Sequence, residues 1–418
     1  MSANDPSHRE QPAADSPILV RKYGGSSLAS VERIQTVARA IAARRAEGVR
    51  LVIVVSAMGH TTDELDHLAH QVSLQPAQRE LDMLLSVGER ITMSLLSMAL
   101  ADLGVPAISL TGSQCGVITD GSHTNARILE VRCDRVRAAL DEGRVVVVAG
   151  FQGVSRDREI TTLGRGGSDA TAVALAAALG AVRCEILKDV DGIFTADPHR
   201  VREAIRHDVL DYEEMETIAG VGCGVIHHRA VAHARQHGVP LFVGSSFHDA
   251  PGTLVVSRPE RLPAEVTDEP WRPLTIVTHD DVALLEVSDL PSGPDALPVA
   301  LSRAVAADPP LAEWTRENDG RMRWGVIGTS SVVAPLRDLI PDQGRILFRR
   351  GLGCLSLAGP PPSSWLETRI RLAPLLTEHG GDETIVLATG NTMHLLLPPG
   401  AAATLLSPLH DLFHVDTA

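Results

Sequence analysis

The chain has 418 residues, which is too long for one ordinary domain and indicates two or three. Its formal net charge of −14 argues against nucleic acid or an anionic membrane surface as the main partner. The five cysteines form no C-x-x-C pair, so we expect neither a zinc site nor a disulfide framework, and we expect a cytoplasmic protein.

Residues 1–16 are polar and contain proline, and we expect a disordered tail without a signal peptide. We also expect that no apolar run in the chain approaches transmembrane length. From residue 17 to 258, short β-branched runs alternate with Ala- and Leu-rich segments of helical period. The runs "VRLVIVVSAM" and "RVVVVAGFQG" are apolar on both faces, which is typical of strands covered on both sides. This alternation predicts a three-layer α/β/α domain with a mainly parallel sheet.

The composition changes after residue 258. Residues 259–273 are rich in proline and charge and are predicted to form a linker. Residues 274–418 contain shorter elements, such as "GRILFRRGLGCLSLAG" and "ETIVLATGNTMHLLLPP", which indicate a smaller α+β domain with a regulatory or packing role.

Two glycine-containing junctions between a strand and a helix are candidates for anion binding. The first is "KYGGSS", in which Lys22 precedes two glycines and a helix start. Glycines let the backbone approach a ligand closely, and a helix N-terminus offers free N–H groups. The residue order of a Walker A loop is absent, and a plain tight turn with an exposed lysine explains this junction by itself equally well.

The second junction is "TTLGRGGSDATAVALAAALG", where Arg165 lies between glycines and Ser168 or Asp169 begins an Ala-rich helix. Ser and Asp are ordinary N-cap residues, but the arginine fork is suited to a carboxylate or a phosphate. Two helix N-termini that each carry a cation suit a reaction between two anions. Phosphoryl transfer to a carboxylate is such a reaction.

Two further features allow both a structural and a functional interpretation. The stretch "LKDVDGIFTADPHR" contains a strand, an acidic glycine turn and an Asp-Pro pair; it predicts either a surface loop or a lid over a nucleotide. Glu89 lies on a predicted helix, where it is either a solvated glutamate or a counter-ion for a substrate ammonium group.

Together these stretches resemble the aspartate kinases of the amino acid kinase family, particularly the actinobacterial and Gram-positive type. The matching motifs follow the family order across about residues 17–258: "KYGGSSLA", "VVSAMGHTTDEL", "DMLLSVGERI", "TGSQCGVIT", "NARI", "VAGFQGV", "TTLGRGGSDATAVALAAALGA", "DVDGIFTADP" and "VPLFVGSS". The resemblance implies that ATP and L-aspartate react to give ADP and 4-phospho-L-aspartate. It also implies Mg²⁺ that is held mainly by the nucleotide phosphates, with no dedicated metal site on the protein.

The resemblance also implies roles for individual residues. Lys22 would contact the transferred phosphate, and Asp169 would organise this lysine and the phosphates. The substrate contacts carry over to Thr61, Glu89, Arg165, Gly166 and Ser168, with Glu89 at the α-amino group and Arg165 at the carboxylate. The nucleotide contacts carry over to Gly24, Gly25, Ser26, Lys188, Asp189, Phe194, Asp197, Pro198, His199 and Gly224.

The sequence departs from the family pattern at three positions near the expected nucleotide. The pattern G-[AS]-K-[VI]-L has a lysine where this chain has Gly224, and the usual Asp-Pro-Arg ends here in His199. Lys188 stands where the family has Thr or Ser. Our hypothesis is that Lys188 restores the charge that is missing at Gly224. The alternative is that Lys188 extends into solvent and the site is weakened.

The C-terminal region faintly resembles the paired ACT modules of aspartate kinases, which have a ferredoxin-like fold and bind amino-acid effectors. The expected effector-loop sequences are not recognisable in residues 274–418. We therefore predict a degenerate ACT-like region that forms a homodimer or a higher homo-oligomer. We also predict little or no feedback inhibition by lysine or threonine.

Two other functions stay open. A kinase for a different amino or carboxylic acid is disfavoured because Thr61, Glu89 and Arg165 are all present. A catalytically impaired relative that acts as a binding partner is favoured by Gly224 and His199, whereas the complete "GRGGSD" motif and the lysine of "KYGGSS" oppose it.

Overall fold

The computed structural model describes residues 16–258, 271–290, 312–318, 321–329, 345–360, 365–379 and 384–414. The predicted N-terminal tail and most of the predicted linker lie outside the described residues. The described chain forms two compact units, each built from three segments. The first unit contains the residues up to Ile193, His207–Met215 and the residues from Gly224 to 258; the second contains Phe194–Arg206, Glu216–Cys223 and the residues from 271 onward.

Twelve described strands belong to the first unit. They are β1 Ile18–Tyr23, β2 Arg50–Val55, β3 Ala107–Leu110, β4 Val117–Thr119, β5 Ile128–Val131, β6 Val145–Ala149, β7 Gln152–Ser155, β8 Ile160–Thr162, β9 Arg183–Lys188, β10 Val209–Leu210, β11 Leu241–Ser245 and β12 Thr253–Val255. The helices in this part of the chain are a short 3-10 turn, Ser26–Leu28, and α1 Val31–Ala46, α2 Thr61–Val72, α3 Gln78–Leu85, α4 Val87–Asp102, α5 Asp134–Asp141, α6 Gly167–Leu179, α7 Tyr212–Gly220 and α8 His228–His237.

Eight of these strands form the central sheet, in the order β10-β12-β11-β9-β1-β2-β6-β3. Neighbouring strands are parallel except for β11 with β12. The strands β2 and β6 are buried along almost their whole length, as their unbroken runs of Val and Ile predict. Strand β1 lies at the centre, and the chain leaves it toward β2 on one side and β9 on the other. Ligands of open parallel sheets bind at the carboxyl ends of strands at such a reversal point.

A second, smaller sheet in the same unit has the order β5-β4-β7-β8. Its strands have only three or four residues each, so they show no periodicity long enough to predict from sequence. Its last strand, β8, leads directly into the glycine-rich loop before α6. This small sheet therefore supports one side of the second junction that the sequence singled out.

Helices α3 and α4 run almost continuously from Gln78 to Asp102, and this stretch is long and apolar enough to cross a membrane by length and composition. Our prediction that no apolar run approaches that length was wrong. The buried face of α4 contains Met93, Leu96 and Leu100, which are part of the core beside α1. Core packing accounts for this apolar face, whereas Val87, Ile91, Leu95 and Met98 of the same helix are exposed in the single chain.

The second unit contains an antiparallel sheet and two helices among its described residues. They are β13 Thr275–Leu290, β14 Ala312–Asn318, β15 Arg321–Thr329, β16 Arg345–Ala358, α9 Trp365–His379, β17 Ile385–Thr389, β18 Thr392–Leu397 and α10 Ala401–His414. The strand order is β14-β15-β13-β16-β18-β17. The core of this unit includes Leu355, Met393, Leu405 and Phe413. The predicted combination of a parallel α/β unit and a smaller α+β unit is confirmed.

The segment Phe194–Arg206 is part of the second unit's core. Ala196 and Val201 pack in the same apolar cluster as α10. Thr195 hydrogen-bonds through its backbone oxygen to the Ile276 N–H at 2.8 Å, and its hydroxyl lies 2.9 Å from His410 Nε2. This segment is therefore held by the first strand and the last helix of the C-terminal region.

Candidate active site

A cavity of about 690 Å³ opens at the carboxyl ends of the central strands of the first unit. Strands β1, β2 and β9 each place a residue at or just beyond their ends in its wall, and the loop before α6 closes another side. The lining residues that carry charge are Lys22, Asp63, Asp66, Glu89, Arg165, Asp169 and Lys188. A pocket with convergent charged groups at this edge of a parallel sheet is the expected place for chemistry.

Lys22 and Asp169 form a buried ion pair in this wall. Lys22 Nζ lies 2.6 Å from Asp169 Oδ1, and each side chain is only 5% exposed. Lys22 is placed by β1, and Asp169 by the first turn of α6. Burial by itself would raise the pKa of the Asp169 carboxyl, but the positive charges of Lys22 and Lys188 more than offset it, so the pKa lies below its usual value. The Asp169 carboxyl is therefore ionised at neutral pH.

Glu89 is a second buried carboxylate at the cavity. One of its oxygens accepts a hydrogen bond from the Ala57 N–H at 3.2 Å, whereas Oε2 is buried without a hydrogen-bond partner among the described residues. Burial raises the pKa of Glu89 to about 7, although the backbone N–H groups and the Lys22 charge act in the opposite direction. A cationic ligand group beside Oε2 would supply the missing partner and favour the ionised form.

The loop Gly164-Arg165-Gly166 depends on glycine at two positions. Gly164 and Gly166 both have positive φ, 73° and 70°, a backbone conformation that costs other residues energy. At Gly166 a Cβ would also lie 2.2 Å from the Cβ of His227, so no side chain fits there. The glycines thus allow Arg165 to reach the cavity wall between β8 and α6.

His227 is a neighbour of this loop that the sequence did not indicate. It caps the N-terminus of α8, where its ring accepts the Arg229 N–H at 3.3 Å. Burial, together with the positive charges of its neighbours, lowers the pKa of His227 to about 4. His227 is therefore neutral at physiological pH, and its packing against Gly166 rather than its charge shapes the loop.

Lys188 ends β9 beside the same cavity. Its ammonium group donates a hydrogen bond to the Gly224 carbonyl oxygen at 3.0 Å. The two positions compared in the sequence hypothesis are thus direct neighbours. Of the 38 lysine and arginine residues in the chain, only Lys22 and Lys188 are lysines, and both line this cavity. An ammonium group is a compact, strongly hydrated point charge, which suits it to face an anion in this cavity.

The structure brings together about half of the residues predicted for the site. The cavity wall contains Lys22, Gly25, Glu89, Arg165, Gly166, Ser168, Asp169 and Lys188. Five others belong to the same unit but do not line the wall: Gly24, Ser26, Thr61, Asp189 and Gly224. Phe194, Asp197, Pro198 and His199 belong to the second unit, and their predicted contact with nucleotide stays a prediction.

The described residues contain no group of three or more His, Cys, Asp or Glu side chains that could hold a metal ion. The two buried acidic residues at the cavity have protein partners: Asp169 pairs with Lys22, and Glu89 accepts from the Ala57 N–H. Such a donor set suits a divalent cation that arrives on a phosphate ligand better than one with its own protein cage.

Comparison with known proteins identifies the family. Residues 17–245 match the model of the amino acid kinase family. The aspartokinase of Mycolicibacterium smegmatis is 42% identical over 409 residues, which cover 95% of this chain and 96% of the relative. The chain belongs to the aspartokinases of the amino acid kinase family. The Thermus thermophilus aspartokinase is 38% identical over 411 residues and is covered completely.

Other aspartokinases are similar to this chain either in sequence over a shorter range or in three-dimensional fold. The Mycobacterium tuberculosis aspartokinase is 53% identical over 279 residues, so this match spans 65% of that relative's length. E. coli aspartokinase III, solved in complex with aspartate and ADP, has a TM-score of 0.74 at 22% identity and covers 94% of this chain and 99% of its own. The Synechocystis aspartate kinase has a TM-score of 0.54 at 35% identity and covers 95% of this chain and 69% of its own. The predicted amino acid kinase fold is confirmed.

Proposed function

We propose that the protein transfers the γ-phosphoryl group of ATP to the side-chain carboxylate of L-aspartate, forming ADP and 4-phospho-L-aspartate. The observation that carries this proposal is the buried Lys22–Asp169 ion pair in a cavity that also contains Glu89 and Arg165. The naming of full-length relatives as aspartokinases supports it, as does the aspartate and ADP complex of E. coli aspartokinase III.

The proposed chemistry needs charge neutralisation more than a base. A side-chain carboxylate is ionised at neutral pH and can attack the γ-phosphorus directly. Lys22, held in place by Asp169, would face the negative charge of the transferred group. The N-terminus of α6, which carries Ser168 and Asp169 in its first turn, would direct N–H groups and a partial positive charge toward the same region.

The amino-acid end of the substrate would be bound by charge complementarity. Glu89 would accept the α-ammonium group at its unpartnered Oε2, and Arg165 would bind the α-carboxylate. Gly166 and Ser168 lie beside Arg165 and would supply close backbone and hydroxyl contacts. Thr61 begins α2 outside the cavity wall, so its substrate contact rests on the family resemblance.

The nucleotide would lie on the β1–β9 side of the cavity. Gly24, Gly25 and Ser26 follow β1, and a Cβ at Gly24 would be 3.5 Å from Lys188 Cγ and 3.9 Å from Lys22 Nζ. Lys188 ends β9 and bonds to the Gly224 oxygen, and Asp189 follows it in the chain. Phe194, Asp197, Pro198 and His199 are further nucleotide contacts in this proposal. Mg²⁺ would be held mainly by the phosphates, whose charge it would neutralise during transfer.

A hydroxylamine assay tests the activity directly. Purified protein is incubated with MgATP, hydroxylamine and one amino or carboxylic acid at a time, and both ADP and hydroxamate are measured. We expect aspartyl hydroxamate only with aspartate. If the hydroxamate of another acid forms instead, that acid and not aspartate is the substrate. If no acid causes ADP release, the result supports a binding role.

The small number of lysines makes the nucleotide side testable by chemical labelling. Lys22 and Lys188 are the only side-chain amines, so an acetylating reagent followed by peptide mass spectrometry reports on each of them. We expect MgATP to protect Lys188 from acetylation, whereas aspartate without nucleotide leaves it reactive. Equal acetylation of Lys188 with and without MgATP would remove this lysine from the nucleotide site.

We further propose that the protein is a cytoplasmic homodimer or higher homo-oligomer that associates through a degenerate ACT-like C-terminal region. The six-stranded antiparallel sheet with α9 and α10 is consistent with such a module. Light scattering of the full chain in solution tests the association. A monomer at micromolar concentration would contradict it.

A further inference from the structure

Asp82 is a completely buried carboxylate behind the cavity wall that the proposed chemistry does not use. It lies in α3, with none of its surface exposed, between Leu81 and Leu85, which both line the cavity. A charged side chain in such a place is retained only if hydrogen-bond donors compensate its burial. The identity of these donors indicates what Asp82 does.

Three donors converge on Asp82, and they come from two separate segments. The Thr124 N–H donates to Oδ1 at 3.0 Å, and His123 Nδ1–H donates to Oδ2 at 2.6 Å. The Thr162 hydroxyl donates to Oδ1 at 2.5 Å. His123 and Thr124 belong to the connection between β4 and β5, and Thr162 ends β8 just before Gly164. Asp82 therefore ties these two segments together.

Thr124 needs such support because its φ is +65°, a left-handed conformation that threonine rarely adopts. Its backbone oxygen forms a floor under the arginine loop. A Cβ at Gly164 would lie 3.1 Å from the Thr124 oxygen and 3.1 Å from Asn125 Oδ1. Arg229 holds the other end of this floor by donating to Asn125 Oδ1 at 2.6 Å.

We infer that Asp82 is a positioning residue for amino-acid binding, because it fixes the Thr124–Asn125 floor against which the Gly164-Arg165-Gly166 loop rests. This inference rests on the proposed function, in which Arg165 binds the α-carboxylate of the substrate. Asp82 itself touches neither substrate in this account. Its removal allows Thr124 to relax to negative φ and the floor beneath Gly164 to move, which displaces Arg165.

The test compares the KM values of the two substrates in Asp82→Ala. We expect the KM for aspartate to rise about tenfold or more, since displacements near 1 Å at a positioning contact have large effects. The KM for ATP stays within about twofold, because the contacts of Lys22 and Lys188 are untouched. Asp82→Asn keeps an oxygen that accepts from Thr124 and Thr162, and should restore most of the aspartate affinity.

A second-site variant separates positioning from general stability. Glycine adopts positive φ without steric cost, so Thr124→Gly in the Asp82→Ala background should recover a large part of the lost aspartate affinity. The readout is KM rather than total activity, because KM does not depend on the fraction of folded molecules, and urea denaturation of the same variants measures any change in stability separately. If Asp82→Ala does not fold, Thr162→Val carries the test, because it removes one donor at nearly constant volume and should raise the KM for aspartate alone.

Asp120→Ala is the matched control in the same connection. Asp120 accepts the Ser122 and Arg127 N–H groups at 3.1 Å each, and among the described residues its side chain has no hydrogen bond to the arginine loop, so both KM values should be unchanged. Suppose that the wild type forms aspartyl phosphate normally. If Asp82→Ala then changes the KM for both substrates equally, or if Thr124→Gly does not rescue it, this inference is overturned and the proposed function is not. A wild type that forms no acyl phosphate with any acid overturns the proposed function and this inference with it.

Discussion

Single residues set the charge of the cavity, and both lysines of the chain lie there. Elsewhere arginine serves every cationic position, including the pair that holds the buried Glu185. At the cavity the two lysines flank Asp169, and both lower the pKa of its carboxyl. The sequence motifs indicated Lys22 through its glycine turn, but the pairing of Lys22 with Asp169 joins distant parts of the chain and came only from family resemblance.

Replacement of Lys188 tests whether it takes over the role of the missing lysine at position 224. We expect Lys188→Ala to weaken ATP binding or transfer about 10- to 100-fold, the range for one lost hydrogen bond to a charged group. Lys188→Arg, which keeps the charge but not the ammonium shape, should recover part of this loss. Steady-state kinetics with varied MgATP give the result, and an unchanged KM for ATP together with an unchanged kcat would contradict the hypothesis.

Glu89 gives the enzyme a pH dependence that can be worked out in sign. Its folded-state pKa of about 7 exceeds its ordinary value, so the folded protein binds more protons than the unfolded one between these values. Stability therefore falls as pH rises through this window. At pH 8 without substrate, we expect the free energy of unfolding of Glu89→Gln to exceed that of wild type by about 3 kcal/mol. Urea denaturation measures this difference, and equal midpoints for the two proteins would contradict it.

The same glutamate should act oppositely on substrate binding. Binding of the ammonium group requires ionised Glu89, so the KM for aspartate in wild type should rise as pH falls below about 7. In Glu89→Gln the KM should be high at every pH and lose this dependence. A wild-type KM that is flat between pH 6 and 8.5 would assign ammonium recognition to another group.

Among the elements, helix α6 shows how far local sequence reasoning reaches. Its start was predicted at Ser168 or Asp169; the structure begins it at Gly167, and Gly166 and Gly180 have left-handed conformation at its two caps. Its interior is apolar on all sides, as expected for a helix buried in the first unit. The four-stranded sheet beside it escaped prediction, because strands of three or four residues carry too little pattern.

The two cap glycines of α6 provide a matched pair of substitutions. Gly180→Ala places a methyl group in open space at φ 66°, so we expect a loss of about 1 kcal/mol in folding free energy and normal activity. Gly166→Ala has the same backbone strain and also collides with His227, so it should lose more stability and most activity. Urea denaturation measures the loss of stability, and steady-state kinetics measure the loss of activity. Equal losses of both quantities in the two variants would contradict the role of His227.

The whole molecule consists of two units that interrupt one another in sequence. Alternating patterns located the parallel sheet and the later α+β region, because those signals are local. The assignment of Phe194–Arg206 to the second unit was not predictable, since it depends on how Ala196 and Val201 pack with residues two hundred positions later. Their side chains carry no distinguishing sequence pattern.

Feedback inhibition belongs to the molecular scale, since it requires the C-terminal unit to bind an effector. E. coli aspartokinase III has been solved with lysine bound, whereas this chain lacks recognisable effector-loop sequences. We expect no change in activity when lysine or threonine, singly or together, is added at millimolar concentration. A clear drop in initial rate with either amino acid would contradict this expectation, and the glutamate salt at equal concentration controls for ionic strength.

The strand order has a consequence for synthesis on the ribosome. Strand β1 leaves the ribosome before its neighbour β9, and β9 leaves before its own second neighbour, β11. The backbone N–H and C=O groups on that edge of β1 therefore stay unpaired until residue 188 has left the exit tunnel. The segment Phe194–Arg206 lacks its partners for longer, because β13 and α10 are synthesised later. Nascent chains of this protein thus keep one edge of a central strand unpaired until nearly half of the chain has been synthesised.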